Sequence, residues 1–430
     1  MANKNLGTAT AVTSMLKDNS VLVEIGGSIR RITLENLADA INETGSGTLS
    51  QVAWCVPIKQ NQSSPEWGTL GNTALWEEFK RSCGCYLVNS GGKRSKLSKT
   101  NSGLFADGTT VDESKGNVMW CSPRLYYRMV DDAQAGYPLL YMSQLPIGGH
   151  YIEAQCMGKY KMYVTGGKGY SRSGYSPTGN MTISAFWNAA QQNGADWGLA
   201  DYDFRRLLMM MALSEYGSPD IQSKLGYGVC GSQNLDLWAT AATLKTGDMK
   251  SYGDNSGAKT ISVVNGDNTG VNCSRISLFG IEDPYGWQWE MTQGIYCGAS
   301  DNDAQTGTEV FIYDGNRMPS SAELTTHPSG DYRQTTRIDV EGYVTKMQMG
   351  EYFDLIAQAV GGASTSYWCD YFWRNIATGQ LVAFGGAANH GTYCGLGFVA
   401  SLDAFTRSSA ACGSRLAYYG MLTDVNPSEL

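Results

Sequence analysis

Apolar residues fall on helical and strand periods in the first half of this chain; beyond 220 only short strands are expected, and at 385–405 neither period is present. In "SVLVEIGGSIRRITLENLADAI" the pattern predicts a strand, a turn at Gly26-Gly27, a second strand and a helix opened by Thr33. Leu34, Leu37, Ala38 and Ile41 form the apolar stripe of that helix. "NETGSGTLS" (42–50) follows as a linker. From about 50 to 145, short apolar runs alternate with turn clusters. "RSCGCYLVNSGGKRSKL" predicts two strands about Gly91-Gly92, "GNVMWCSPRLYYRMV" one or two more, and "GTLGNTALWEEFKR" one helix.

The two clearest helices come next. "TISAFWNAAQQNG" has Thr182 as N-cap, Ile183, Phe186, Trp187 and Ala190 on one face, and Gly194 as its stop. "DYDFRRLLMMMALSEYGSPD" starts at Asp201 or Asp203 and ends at Gly217. Phe204, Leu207, Leu208 and Met211 line one face, and Met209-Met210-Met211 fills core space. Beyond 220 the helical period disappears, and turns, glycines and aromatics predict short strands with long loops.

Composition sharpens this picture. The 430 residues allow two or three domains, and 52 Gly, 25 Tyr and 11 Trp favour strands and turns over helical bundles. A net charge of −8 with no basic run argues against nucleic-acid binding. The N-terminus lacks the apolar core of a signal peptide, and no stretch is apolar for the roughly 18 residues of a membrane span, so synthesis in a cytoplasm without membrane insertion is expected. Eleven cysteines, scattered and odd in number, suit buried thiols better than a disulfide framework.

"SLFGIEDPYGWQWEMTQGIY" (277–296) is the most specific stretch: Gly-Ile-Glu-x-Pro-x-Gly, then Trp-x-Trp, then Gly-Ile. It resembles the variable proteins of diversity-generating retroelements of phages. "DYDFRRLLMMMALSEYGSPDIQSKLGYG" and the tail from "YWCDYFWRN" to "RLAYYG" resemble the same family in order and spacing, and "GNVMWCSPRLYYRMV" resembles the strand that opens its body. The resemblance covers roughly 115–420. It implies an α+β, C-type-lectin-like fold of the formylglycine-generating-enzyme subtype, with short antiparallel strands, two helices and long loops. The two helices would pack on a small sheet with "GWQWEM" as its central strand, flanked by Trp287 and Trp289. The implied organisation is a virion-attachment segment (1–45), a β-rich middle (46–145) and a ligand-binding domain (146–430) with a variable region at about 365–420. The implied function is a phage tail receptor-binding protein, made in the bacterial cytoplasm and carried on the virion. A homotrimer is expected, held to other tail proteins by its N-terminus and bound to a host-cell surface receptor, protein or glycan, without cofactor.

"GGAANHGTYCGLGFVASLDAF" (385–405) carries the candidate site. Its glycines, with Ser414 and Arg415, would be a constant frame, and the assorted residues between them a display surface. Positions 364–420 hold five charged residues among many aromatics, Ser, Gly and Asn, the palette of paratopes. The ligand-binding set is Tyr367, Trp368, Asp370, Ala388, His390, Thr392, Tyr393, Cys394, Phe398, Ala400, Leu402, Asp403, Arg407, Ala410, Ala411 and Cys412. Tyr371, Trp373 and Phe384 are assigned to the core. Other chemistry weighs less. Asp301, Asn302 and Asp303 lack calcium-loop spacing, and Cys83-Gly84-Cys85 lacks a second ligand pair for zinc. Nothing in the sequence orients His390 as a base toward Cys394. A structural tail subunit and a formylglycine-generating-enzyme-like oxidase are the rival functions.

Overall fold

A computed structural model describes residues 9–16, 20–25, 28–33, 46–60, 66–230, 243–264, 270–299, 309–326, 328, 332–375 and 377–430, with side chains from Leu49 onward. The Gly26-Gly27 turn, the helix expected at 34–41 and the acidic loop at 301–303 lie outside the described residues. The fold is mixed α+β, mostly strand with few helices, and includes a curled sheet.

The N-terminal hairpin has the expected strands, Ser20–Ile25 and Ser28–Thr33, and a third, Ala9–Leu16, pairs beside them. The segment expected as a linker is partly helical: Ser46–Val52 forms helix α1. Helix α2 (Thr73–Ser82) buries Leu75, Trp76 and Phe79. Helix α3 (Ile183–Gln191) starts where its Thr182 side chain accepts the Ala185 N–H. In helix α4 (Tyr202–Tyr216), Asp201 accepts the Phe204 N–H and Gly217 closes the last turn at φ 57°. An added Cβ on Gly217 would sit 2.8 Å from the Gly68 backbone, so this position needs glycine for space as well as conformation. Two short helices, Gln222–Leu225 and Ser321–Thr325, lie in the region expected to have none.

The one-faced reading of α4 is corrected. Twelve of its fifteen residues are buried, Arg205 and Arg206 among them. The strands Trp289–Gly298, Asp354–Val360 and Trp54–Pro57 all pack against the helix, and its three methionines are buried core as expected.

Two large sheets organise the described chain. One runs Trp197–Leu199, Leu416–Tyr418, Cys156–Gly158, Asn117–Cys121, Gly84–Val88, Lys93–Ser98 and Thr423–Asp424, joining segments from both ends of the sequence. The other has Trp289–Gly298 inside it, paired to Glu309–Ile312, to Gln380–Phe384 and, in parallel, to Cys412–Gly413. All ten residues of that central strand are buried. Trp289 and Met291 enter one apolar cluster, but Ile295 and Cys297 enter another. Simple alternation would put all four on one face. A register shift between Met291 and Tyr296, with Gly294 at φ 82°, turns the strand over. Trp287 stands before the strand, not beside it, at φ 69° and stacked under Arg275. One apolar cluster draws residues from Leu49 to Ala417, so 46–145 and 146–430 share a core.

Candidate functional site: an aromatic-floored cleft on a glycine frame

The stretch from 277 to 296 builds the support beneath the site. Arg275, wholly buried, donates to Asp283 at 2.7 Å and to Glu282 and Asp248 at 2.8 and 2.9 Å. Glu290, also wholly buried, meets Arg415 at 2.6 Å, Lys161 at 2.7 Å, and Arg205. Burial by itself would raise the Glu290 pKa, but Arg415, Lys161 and Arg205 together hold it well below the usual carboxylate range. Arg415 also donates to the carbonyls of Gly158, Lys159, Glu282 and Asp283, which ties the two charge clusters together. Arg415 is thus part of the buried support, and Ser414 beside it is also buried, its hydroxyl donating to Met291 O at 3.0 Å.

The 385–398 loop rests on this base. The Gly385 N–H donates to Phe398 O, and its own carbonyl accepts from Gly286. Gly385 and Gly386 have φ of 91° and 83°, and Gly391 54°. The Ala387 N–H donates to His390 Nδ1 at 2.9 Å, so the ring keeps its proton on Nε2. Burial among Trp289, Trp373 and Phe398 lowers the His390 pKa to about 4, which leaves the imidazole neutral at physiological pH. The Cys394 thiol donates elsewhere, to Ala387 O at 3.4 Å. Asp370, with no exposed surface, accepts from Gln222 at 2.7 Å and from the Gly397 N–H at 3.2 Å; burial pushes its pKa well up.

The structure divides the expected ligand-binding set. His390, Ala400, Leu402, Asp403, Arg407, Ala411 and Cys412 line one cleft of about 190 Å³. Thr392, Tyr393 and Ala410 are half-buried beside this region, Thr392 meeting Tyr343 Oη at 3.0 Å. Tyr367 is not brought to the cleft: it packs against the other apolar cluster and donates to Thr345 O. Trp368, Asp370, Ala388, Cys394 and Phe398 are corrected to frame: each is fully buried and offers a ligand nothing. Trp368 donates to Gln60 and packs edge-on against Trp67, while Ala388 closes a small apolar cluster with Trp287 and Val229. The core assignment also changes. Phe384 is buried, but Tyr371 and Trp373 are half-exposed, because Phe372 takes the inward face of their strand. Tyr371, Phe372 and Trp373 are all aromatic, so the local pattern does not say which of them turns inward.

Trp289, Trp373, Leu381, Ala383 and Asn389 complete the cleft and stand outside the expected set. Its floor is apolar, and Asn389, Asp403 and Arg407 stand at its rim; Arg407 and Asp403 are 3.5 Å apart. The space is below the ~300 Å³ at which pockets enclose a drug-sized molecule. It suits one sugar ring or one side chain at the centre of a wider contact.

A larger open groove of about 950 Å³ lies elsewhere, lined in part by Tyr127, His150, Asp201, Asp203, Asp314 and Arg333. Burial, then the nearby Asp203 charge, raises the Asp201 pKa to about 7, although part of the residue still reaches the groove. Between pH 4 and 7 the folded chain therefore holds a proton there that the unfolded chain lacks, so stability falls as pH rises through this window. Asp201→Asn keeps an equally good N-cap and removes that slope. Because solvent screens a partly exposed group, the gain at pH 8 is expected on the order of 1 kcal/mol, vanishing near pH 4. Urea unfolding of both proteins at pH 4, 6 and 8 checks this.

Among the described residues no three His, Cys, Asp or Glu side chains gather into a metal-binding group. Cys83 caps the C-terminus of α2 and Cys85 lies in the strand Gly84–Val88, both buried. Fold and cleft together define a strand-rich α+β protein with a small aromatic-floored surface site. No protein-family model matches the chain, and no curated protein is significantly similar to it.

Proposed function

We propose that this chain is a phage tail receptor-binding protein of C-type-lectin-like fold, whose cleft and surrounding loops bind a ligand on the host-cell surface. The observation that carries the reading is the convergence of seven assorted positions between 390 and 412 on one cleft above a buried frame. Binding there uses aromatic burial and rim hydrogen bonds. A single cleft of this size binds weakly, and repetition of the chain as a homotrimer on a tail raises avidity through effective concentration. The N-terminal sheet is the attachment segment in this reading, and the virion is where the protein works.

The test separates face from frame. Leu402→Ala, Asp403→Asn and Arg407→Ala change rim positions with exposed or half-exposed side chains. Each is expected to move the unfolding free energy by no more than about 0.5 kcal/mol. At least one is expected to cut adsorption of particles to host cells tenfold or more, since few residues dominate a binding surface. Unchanged adsorption for all three, with folding intact, would overturn the proposal.

A further inference from the structure

Eleven cysteines are buried and unlinked, yet four of them stand in two sulfur–sulfur contacts. Cys121 and Cys156 place their Sγ atoms 2.7 Å apart, and so do Cys230 and Cys394. Among the described residues no other two cysteine thiols are in hydrogen-bond contact. We propose that these two pairs are modification sites: latent disulfides that close once the protein leaves a reducing compartment. This does not depend on the display reading.

The geometry of each pair admits the bond. Cys121 and Cys156 are directly opposite on antiparallel strands. Such positions have Cα atoms about 4.5–5.5 Å apart, inside the range of about 4.4–6.8 Å that a disulfide spans. Closing from 2.7 Å to the bonded ~2.05 Å needs only a small rotation of each side chain. Cys230 and Cys394 both donate to Ala387 O at 3.4 Å. Oxidation removes both donors, but that carbonyl still accepts the His390 N–H at 3.0 Å, so no buried acceptor is orphaned. Cys230 lies next to Val229, whose carbonyl accepts the Trp287 N–H. The bond would therefore fasten the 385–394 turn, which brings Asn389 and His390 to the cleft, to the segment under Trp287.

The reaction balances with a small disulfide as oxidant. One cysteine thiolate attacks R–S–S–R and releases R–S⁻, forming a mixed disulfide. Its partner's thiolate then attacks the protein sulfur and expels the second R–S⁻. Two protein thiols lose two electrons and two protons, and the oxidant leaves as two thiols. Burial makes this slow in the closed fold, so it proceeds during folding or local opening.

The experiment incubates the full-length reduced protein with oxidised glutathione in sub-denaturing urea. It is then alkylated in guanidinium, digested without reductant and mapped by mass spectrometry. Linked peptides joining 121 to 156 and 230 to 394, with the other seven cysteines alkylated, are expected. The oxidised protein should melt about 5 °C higher. Cys156→Ala and Cys230→Ala should each lose one link and keep the other; if a variant fails to fold, the wild-type map alone decides. Eleven alkylated cysteines, or links joining other partners, would overturn the proposal. One pair staying reduced while the other links would overturn the assignment for that pair.

Discussion

Glu290→Gln should be among the most damaging single substitutions in this protein, costing about 3–5 kcal/mol of a total stability of roughly 5–15 kcal/mol. The carboxylate is the shared counter-ion of Arg205, Arg415 and Lys161, all buried. Removing its charge leaves three buried cations without a counter-ion, and the backbone carbonyls that accept from Arg415 and Lys161 offset only part of their desolvation. Glu153→Gln supplies the contrast. Glu153 meets Arg124 at 2.7 Å, a distance equal to that between Glu290 and Lys161, but both side chains of that pair are about half exposed. Water already solvates those charges, so the loss should stay within about 1 kcal/mol. Guanidinium midpoints at pH 7 test the pair. A Glu290→Gln protein as stable as Glu153→Gln would mean that the buried cluster does not hold the fold. The effect should fade only in acid. The Glu290 pKa is depressed in the fold, so its stabilisation is complete above the ordinary carboxylate range and is lost as pH falls through the lower folded value.

Gly386→Ala is expected to cost about 3 kcal/mol, against about 1 kcal/mol for Gly174→Ala. Both glycines have φ of 83°, so the backbone strain of adding a Cβ is the same. At Gly174 nothing lies within 4 Å of the new atom. At Gly386 it would stand 2.6 Å from Cys394 Sγ and 2.8 Å from Phe398, neither of which has room to retreat. Gly395→Ala isolates the steric part. Its φ is not in the left-handed region, yet the added atom would meet Asp370 and Gln222 at 1.9 and 2.0 Å and must break their hydrogen bond. A loss of about 2–4 kcal/mol is expected there. Thermal and urea unfolding of the three variants is the measurement. If Gly386→Ala and Gly174→Ala unfold together, conformation alone explains the glycines and the crowded frame does not exist.

The rim of the cleft is legible in the amino-acid sequence, because Leu402, Asp403 and Arg407 sit among glycines and small residues that no periodic core explains. Its floor is not. Trp289 belongs to the Trp-x-Trp motif and reads locally as strand, and Trp373 reads locally as core. Both sit where two distant strands meet, and nothing local marks that meeting. Ala388 and Cys394 mislead in the opposite direction. A small residue in a glycine-rich loop looks exposed, but here the loop folds back onto Trp287 and Cys230 and encloses them.

What the sequence determined by itself is what one turn of chain can decide. Thr182 and Asp201 begin helices and Gly217 ends one because the cap hydrogen bonds close within a few residues. Strand and turn alternation in "RSCGCYLVNSGGKRSKL" likewise yields the hairpin Gly84–Val88 with Lys93–Ser98. The tertiary structure alone decided the pairing of Glu290 with residues 85, 125 and 129 positions away. It also decided the turning over of the central strand at Gly294, and which aromatics of 367–398 face inward. These depend on which surfaces long-range folding brings together. A buried charge or ring is stabilised by neighbours that share no local pattern with it, so no period along the chain records the contact.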